Sequence, residues 1–308
     1  MADHRLTEND VTPPEIYRGR RLFIASAAAL LGAGWVERQA FPACAAVSNP
    51  AALDSAGEKP NTLKEITSYN NYYEFSTNKE AVRILAQGLT VSPWNIVIEG
   101  EVARPITIGI EDILKRFPSE ERIYRLRCVE GWSMVIPWSG FPLCRLIEMA
   151  RPTGQAKYVE FVSLHRSTEM IGQRSKGSLE WPYREGLRMD EAMHPLAFVA
   201  TGLYGQTLPK QNGAPLRVVL PWKYGFKSAK AITHIRFLRE QPQTSWSKIS
   251  PTEYGFYGNV NPEVPHPRWS QDRENRIGEL HKRPTLPFNG YADEVAHLYA
   301  GMDPRLNF

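Results

Sequence analysis

The chain has 308 residues, of which 42% are hydrophobic, 23% charged and 11% aromatic. That is enough apolar material for a substantial core, and too ordinary a mixture for a disordered, collagenous or coiled-coil protein. Lys and Arg number 37 against 33 Asp and Glu, a formal net charge of +4; the excess is too small for a dedicated nucleic-acid binder, and no nucleic-acid partner is expected. The 24 prolines and 22 glycines predict many turns and argue against a helical bundle. The expectation is a mixed α+β fold, rich in strands and loops, in a single domain.

Residues 1–45 read as an export signal. Arg20 and Arg21 precede an apolar stretch from Leu22 to Trp35, 14 residues long, which is short of the roughly 20 needed to span a bilayer. Ala43-Cys44-Ala45 then has the small-x-small form of a cleavage site. The paired arginines resemble a twin-arginine signal, which exports a protein already folded, usually because a cofactor is inserted first. Gly19 and Ala25 depart from the usual motif. Cleavage after Ala45 leaves a domain of residues 46–308 and removes Cys44, so that Cys128 and Cys144 either pair or leave at least one thiol for chemistry.

In chain order, helical spacing at Leu63, Ile66, Val82, Leu85 and Ala86 predicts helix between Asn61 and Leu89, interrupted by the aromatic run Tyr69 to Phe75. Trp94–Gly100 and Val102–Ile110 read as strands, Glu111–Phe117 as a short helix stopped by Pro118, and Ile123–Val129 as a strand that delivers Cys128 to a loop. Leu143, Leu146, Ile147 and Ala150 mark a helix ending near Pro152, Tyr158–Leu164 a strand, and Asp190 the start of another helix. Strands follow at Leu216–Leu220 and Ile232–Leu238. The loop between them gathers Lys223, Lys227 and Lys230 near Arg217, a pattern that suits a phosphate but more often marks solvated surface. Residues 253–269 read as an ordered, irregular segment.

Cys128 is the sharpest candidate for chemistry. A thiolate is a soft ligand for a redox-active metal, and Arg125 and Arg127 lower its pKa if they point toward it, although alternation sends Arg127 to the opposite face. The duller readings are a small buried hydrophobe or a disulfide to Cys144. The chain has no Cys-x-x-Cys, no His-x-x-x-His, no hydrolase signature and no Gly-x-Gly-x-x-Gly or Walker loop. A metal held by one cysteine must take its other ligands from an organic cofactor.

Five motifs in order, Tyr69-Asn70-Asn71-Tyr72-Tyr73-Glu74-Phe75, Arg127-Cys128-Val129-Glu130-Gly131-Trp132, Gln211-Asn212-Gly213-Ala214-Pro215-Leu216-Arg217, Pro221-Trp222-Lys223-Tyr224-Gly225-Phe226-Lys227 and His266-Pro267-Arg268-Trp269-Ser270-Gln271, closely resemble the catalytic subunits of periplasmic protein-methionine-sulfoxide reductases, molybdenum enzymes of the sulfite oxidase fold. The resemblance spans residues 46–308 and the signal. It implies one molybdenum on one molybdopterin, with Cys128 as the metal's only protein ligand and catalytic residue. It further implies cofactor contacts from Asn70, Tyr73, Glu74, Ser163, Asn212, Arg217, Ser228, Ala229 and Lys230, with Ser163 standing where the family commonly has Thr. The implied reaction restores methionine from its sulfoxide in oxidised periplasmic proteins. Electrons would come from a haem-containing membrane subunit that oxidises quinol, and Glu130 and Trp132 would line the pocket. Cys144 would then be a small core residue and Cys128 free. The alternatives are a sulfite oxidase-like oxygen transfer, an exported binding module, and a thiol oxidoreductase using Cys128 with Cys144.

Overall fold

A computed structural model describes Cys44, residues 57–175 and residues 179–305, all within one compact unit, Ala40–Phe308. The export signal expected over residues 1–45, Cys44 apart, lies outside the described residues. Among the described residues no helix is long and apolar enough to cross a membrane.

The first helix, α1 (Leu63–Ser68), starts at a capping box in which the Thr62 hydroxyl accepts from Glu65 N and the Glu65 carboxylate accepts from Thr62 N. The aromatic run follows as turns, then α2 (Val82–Leu85). Next come β1 (Asn95–Gly100), β2 (Ile106–Gly109), α3 (Ile110–Arg116), β3 (Glu120–Arg127), β4 (Trp132–Pro142) and α4 (Leu143–Ala150). After them run β5 (Tyr158–Ser163), β6 (Arg184–Arg188), α5 (Met189–Met193), β7 (Phe198–Leu203), β8 (Gln206–Thr207), β9 (Arg217–Val219) and β10 (Ile232–Leu238). The chain closes with α6 (Ser245–Ile249), β11 (Arg273–Arg276), β12 (Arg283–Pro284) and α7 (Ala292–Val295).

Two sheets organise these elements. One has the order β2-β1-β10-β5-β6, with β1 and β10 parallel and the other neighbours antiparallel. The second follows β12-β11-β4-β7-β8, with β3 paired to β4 and β9 to β7. The mixed α+β class, rich in strands and irregular connections, is as expected. Strand β4 is not: Trp132–Pro142 is buried at nearly every position, and a strand covered on both faces has no period-2 alternation to betray it. The same holds for β7, whose residues are all buried except Thr201.

β3 and β4 form a hairpin in register from Arg127↔Ser133 to Glu120↔Gly140. Its turn closes through Cys128 N donating to Trp132 O at 2.9 Å and Gly131 N donating to Cys128 O at 3.0 Å, with Gly131 at φ +84°. A side chain at Gly131 would meet open space; what the site asks of glycine is the left-handed backbone alone.

Cys144 is not the free core thiol expected. It is buried on α4 and bonded to Cys44 across a sequence separation of 100, and Glu148 of the same helix accepts from Cys44 N at 2.6 Å. The helix turns both groups toward one face because positions 144 and 148 are one turn apart. A chain cut after Ala45 would lack this bridge. Cys128 is free and buried, as expected.

Two buried ion pairs fasten the loop after β9 to the rest of the molecule. Lys223 Nζ lies 2.6 Å from Glu191 Oε1, and Tyr299 OH donates to the same oxygen at 2.5 Å. Lys227 Nζ lies 2.5 Å from Glu185 Oε2 and donates to Gly186 O at 2.8 Å.

Two outcomes follow. Labelling thiols in the denatured, unreduced full-length chain modifies Cys128 alone among the three cysteines, with Cys44 and Cys144 recovered as one cross-linked peptide. Glu191→Ala strands the Lys223 ammonium in the interior and lowers stability by about 3–5 kcal/mol, whereas Glu191→Leu combined with Lys223→Met costs much less; urea unfolding of the two variants reads the difference.

Candidate active site

Cys128, 6% exposed, lies one residue past the end of β3, in the wall of a cavity enclosing ≈ 950 Å³ of space between atoms, part of it open to solvent. Asn70, Tyr73, Glu74, Asn212, Arg217 and Lys230 line the same cavity, as do Glu130 and Trp132. Thus residues spread from 70 to 230 meet in one place. Ser163, Ser228 and Ala229 are fully buried behind that lining. Ser163 pairs with Ile232 across β5 and β10, and Leu164 N donates to Ala231 O at 2.9 Å, which puts Ser163 beside the segment carrying Lys230.

The turn carrying Cys128 is held from behind. Arg127, 0% exposed, donates from Nε to Glu274 Oε2 at 2.9 Å, from Nη2 to Gln271 Oε1 at 2.8 Å, and from Nη1 to Cys128 O. Trp269 Nε1 and Gln271 Nε2 both donate to Val129 O, at 2.9 and 2.8 Å, and Asn275 N donates to Gly131 O at 2.8 Å. Strand alternation therefore gives Cys128 to the cavity and its neighbour Arg127 to an internal anchor.

Around the sulfur, Asn71 Nδ2 lies 3.1 Å from Cys128 Sγ and Glu130 N lies 3.4 Å from it. The Glu130 carboxylate accepts from Asn71 Nδ2 at 3.1 Å and from Trp132 Nε1 at 3.4 Å, and pairs with Lys79 at 2.7 Å. Burial, with the Glu130 carboxylate adding to it, pushes the Cys128 thiol up to about 12. Arg127 does pull the thiol down, but burial and Glu130 outweigh it, and neither arginine points at the sulfur. Arg125 is spent on Glu58 at 2.8 Å and Arg127 on Glu274.

Deeper in, the polar groups are short of partners. Asn70 Nδ2 and Asn212 Nδ2 both donate to Ile66 O, at 2.9 and 3.1 Å, while Asn70 Oδ1, Asn212 Oδ1 and Ser163 Oγ are buried with no partner among the described residues. Buried polar atoms are rarely left so. Arg217 is buried against carbonyls only, donating to Asn212 O at 3.1 Å, and has no carboxylate partner among the described residues. Burial brings its guanidinium down to about 10. Lys230 sits 5.0 Å from the centre of the Tyr72 ring; burial, then Arg217, bring its ammonium down to about 8. Glu74 is the one acid among these groups, and burial raises its carboxyl. Gly213 keeps this wall closed: it lies at φ +105°, and a Cβ there would stand 2.9 Å from Lys230 Cβ.

The basic loop thus does not offer all of its lysines to the cavity. Of the three lysines of the loop, Lys223 and Lys227 are consumed by Glu191 and Glu185, and Lys230 with Arg217 alone face the cavity. Asn71, Lys79 and Tyr254 are site residues that the sequence did not single out. Asn71 lies within a quoted motif; no spacing signal marks the other two, and Trp246 stood out only as one of several tryptophans able to line a pocket.

Unsatisfied acceptors beside uncompensated cations match a ligand that offers N–H donors at one end and an anion at the other. A pterin with its phosphate has both. Residues 84–246 match the family described as oxidoreductase molybdopterin binding domain. At full length the chain is 53% identical over 320 residues to the protein-methionine-sulfoxide reductase catalytic subunit MsrP of Ralstonia nicotianae, covering 97% of this chain and 95% of that one. It is 50% identical to proteins of the same name from Burkholderia mallei, covering 100% of this chain and 97% of that one, and from Xanthomonas axonopodis pv. citri, covering 97% and 96%. Among solved structures, the sulfane dehydrogenase SoxCD from Paracoccus pantotrophus aligns with a TM-score of 0.44 at 15% identity, covering 79% of this chain and 63% of that one. The chain belongs to the molybdopterin-binding oxidoreductase family and, within it, to the protein-methionine-sulfoxide reductase catalytic subunits. Its cofactor is molybdenum-molybdopterin.

The cofactor-free protein carries a measurable trace of this arrangement. Burial brings the folded Lys230 ammonium down to about 8, against the ordinary 10.5, so between those values the unfolded chain binds more protons and this group makes stability rise with pH, by at most about 1.4 kcal/mol per pH unit. Buried Lys223 is also brought down to about 8 and adds a change of the same sign, so urea unfolding of cofactor-free protein across that window shows a steeper rise with pH than Lys230→Met, which keeps only the remainder; loaded protein resembles the variant because a bound anion keeps the Lys230 ammonium charged.

Proposed function

We propose that the chain reduces methionine sulfoxide residues in proteins, at a molybdenum-molybdopterin centre whose only protein ligand to the metal is Cys128. In this reading it is exported folded by the twin-arginine route, works in the periplasm on oxidised envelope proteins, and receives electrons from a haem-containing membrane subunit that oxidises quinol. The carrying observation is the meeting of a free, buried cysteine with the unpartnered acceptors of Asn70 and Asn212 and with Arg217 and Lys230, neither in an ion pair among the described residues, in one cavity. The substrate is taken from the relatives' names.

Asn70, Asn212 and Ser163 would accept from the pterin, and Arg217 and Lys230 would hold its phosphate, with backbone from Ser228 and Ala229 closing around it. Tyr73 and Glu74 would bound the cofactor from the aromatic run. When bound, the centre supplies two-electron oxygen-atom transfer, which the polypeptide lacks. Overall, one sulfoxide, two electrons and two protons give one thioether and one water. Asn71 and Glu130 N would hold the Cys128 sulfur by donating to it, and the clamp from Arg127, Trp269 and Gln271 would keep the turn from moving. Glu130 Oε2, bonded to Lys79, Asn71 and Trp132, would hold the Asn71 amide against that sulfur. In the full-length chain the thiol-pair alternative lacks a second free thiol, since Cys144 is bonded to Cys44; in a chain cut after Ala45 it predicts activity without molybdenum.

Elemental analysis of native protein and Cys128→Ala tests the reading, with turnover of oxidised protein and of sulfite as companion assays. Expected are about one molybdenum per native chain, its loss or severe perturbation in the variant, and reduction of protein-bound sulfoxide without sulfite oxidation. Native protein free of molybdenum from a host that makes the cofactor would sink the proposal.

A further inference from the structure

Outside Cys128 the cavity opens into a cleft lined by Tyr73, Glu130, Trp246, Tyr254, Arg268 and Trp269. The first four also line the inner cavity, so the two spaces adjoin. The rings form one connected wall. Tyr73 meets Trp246 edge-on at 5.3 Å, Trp246 lies 4.6 Å from Tyr254, Tyr254 lies 5.6 Å from His266, and His266 stacks on Trp269 at 3.7 Å. The wall is tied to the cysteine turn by Trp269 Nε1 donating to Val129 O. At the outer end the Arg268 guanidinium stands 4.9 Å from the centre of the Trp269 ring and pairs with Glu253 at 2.7 Å, its side chain 58% exposed. Tyr73, Trp246 and Trp269 are only half-buried. Rings that merely filled a core would be closed off; Tyr73, Trp246 and Trp269 keep exposed surface on the cleft beside the cysteine's cavity.

We propose that this aromatic cleft is the subsite for the polypeptide flanking an oxidised methionine, and that Trp246, Tyr254 and Arg268 set the preference for protein-bound over small sulfoxides. The inference rests on the function proposed above and adds its recognition element. Large rigid rings supply contact area at little entropic cost and take thioether and S-methyl groups favourably against their edges. Arg268 shows donors at the rim, where a passing peptide presents carbonyl oxygens. A small sulfoxide in the inner cavity meets Trp246 and Tyr254 only where they border it and reaches neither Trp269 nor Arg268, whereas an extended segment with its side chain reaching inward lies along the whole wall.

Wild-type holoenzyme, Trp246→Leu and Arg268→Ala, each checked for molybdenum content, are assayed with a reduced dye as donor on an oxidised unstructured protein and on dimethyl sulfoxide. The expected result is a fall of about tenfold or more in the ratio of kcat/KM for protein to that for dimethyl sulfoxide in Trp246→Leu, carried by KM. In Arg268→Ala, whose exposed side chain makes misfolding a poor explanation, a smaller fall in the same direction is expected. Binding of an oxidised methionine peptide, read by quenching of tryptophan fluorescence, weakens in parallel. If both substrates lose equally, or the ratio holds in both variants, the subsite is wrong while the function stands. If loaded wild-type enzyme reduces neither sulfoxide, the function is wrong and the subsite falls with it.

Discussion

The guanidinium of Arg127 is the point on which the rest of the site hangs. A charge with no exposed surface is tolerated only when its donors are met, because desolvation costs several kcal/mol per ion. Here they are met by Glu274, by Gln271 and by the carbonyl of Cys128 itself. The same contact that satisfies the arginine therefore fixes the residue beside it. Ser133 Oγ donates to Glu274 Oε1 at 2.6 Å, so the anion is held in turn by the strand that leaves the turn. The Cys128 sulfur is placed by a network reaching across about 150 residues of sequence, not by its own loop alone.

Charge is distributed in the interior with a purpose that counting alone hides. Lys223 and Lys227 serve as struts, each buried against a glutamate from the region of β6 and α5. With those two neutralised, Arg217 and Lys230 remain as cations lining the cavity that form no ion pair among the described residues, the buried Glu74 being the carboxyl whose field reaches Lys230. Burial is the first cause of their lowered proton affinities. An anionic cofactor relieves that cost, which makes loading and folding stability parts of one equilibrium.

Legibility in the sequence followed the physics of each element. The strand ending at Cys128, the helix from Leu143 and the strand at Ile232 are legible with small boundary shifts, because one face of each is buried and the apolar period survives. Strands β4 and β7 are not, because burial on both faces erases the period. The cofactor contacts came from motif resemblance, and seven of the ten named site residues, Cys128 included, line one cavity. Lys79, Trp246 and Tyr254 had no such flag. Their places beside Glu130 and in the cleft are consequences of chain paths between distant segments.

The sequence by itself determined the class of fold, the singular status of Cys128 and the opposition of Arg127 to it, since these depend on local period and residue chemistry. Tertiary structure alone decided which partner each charged or sulfur group received. Cys144 took Cys44, Lys223 and Lys227 took glutamates, and Arg217 and Lys230 were left for an anion. The physical reason is that pairing energies fall away over a few ångströms and depend on burial, and neither distance nor burial is written in the order of residues along the chain.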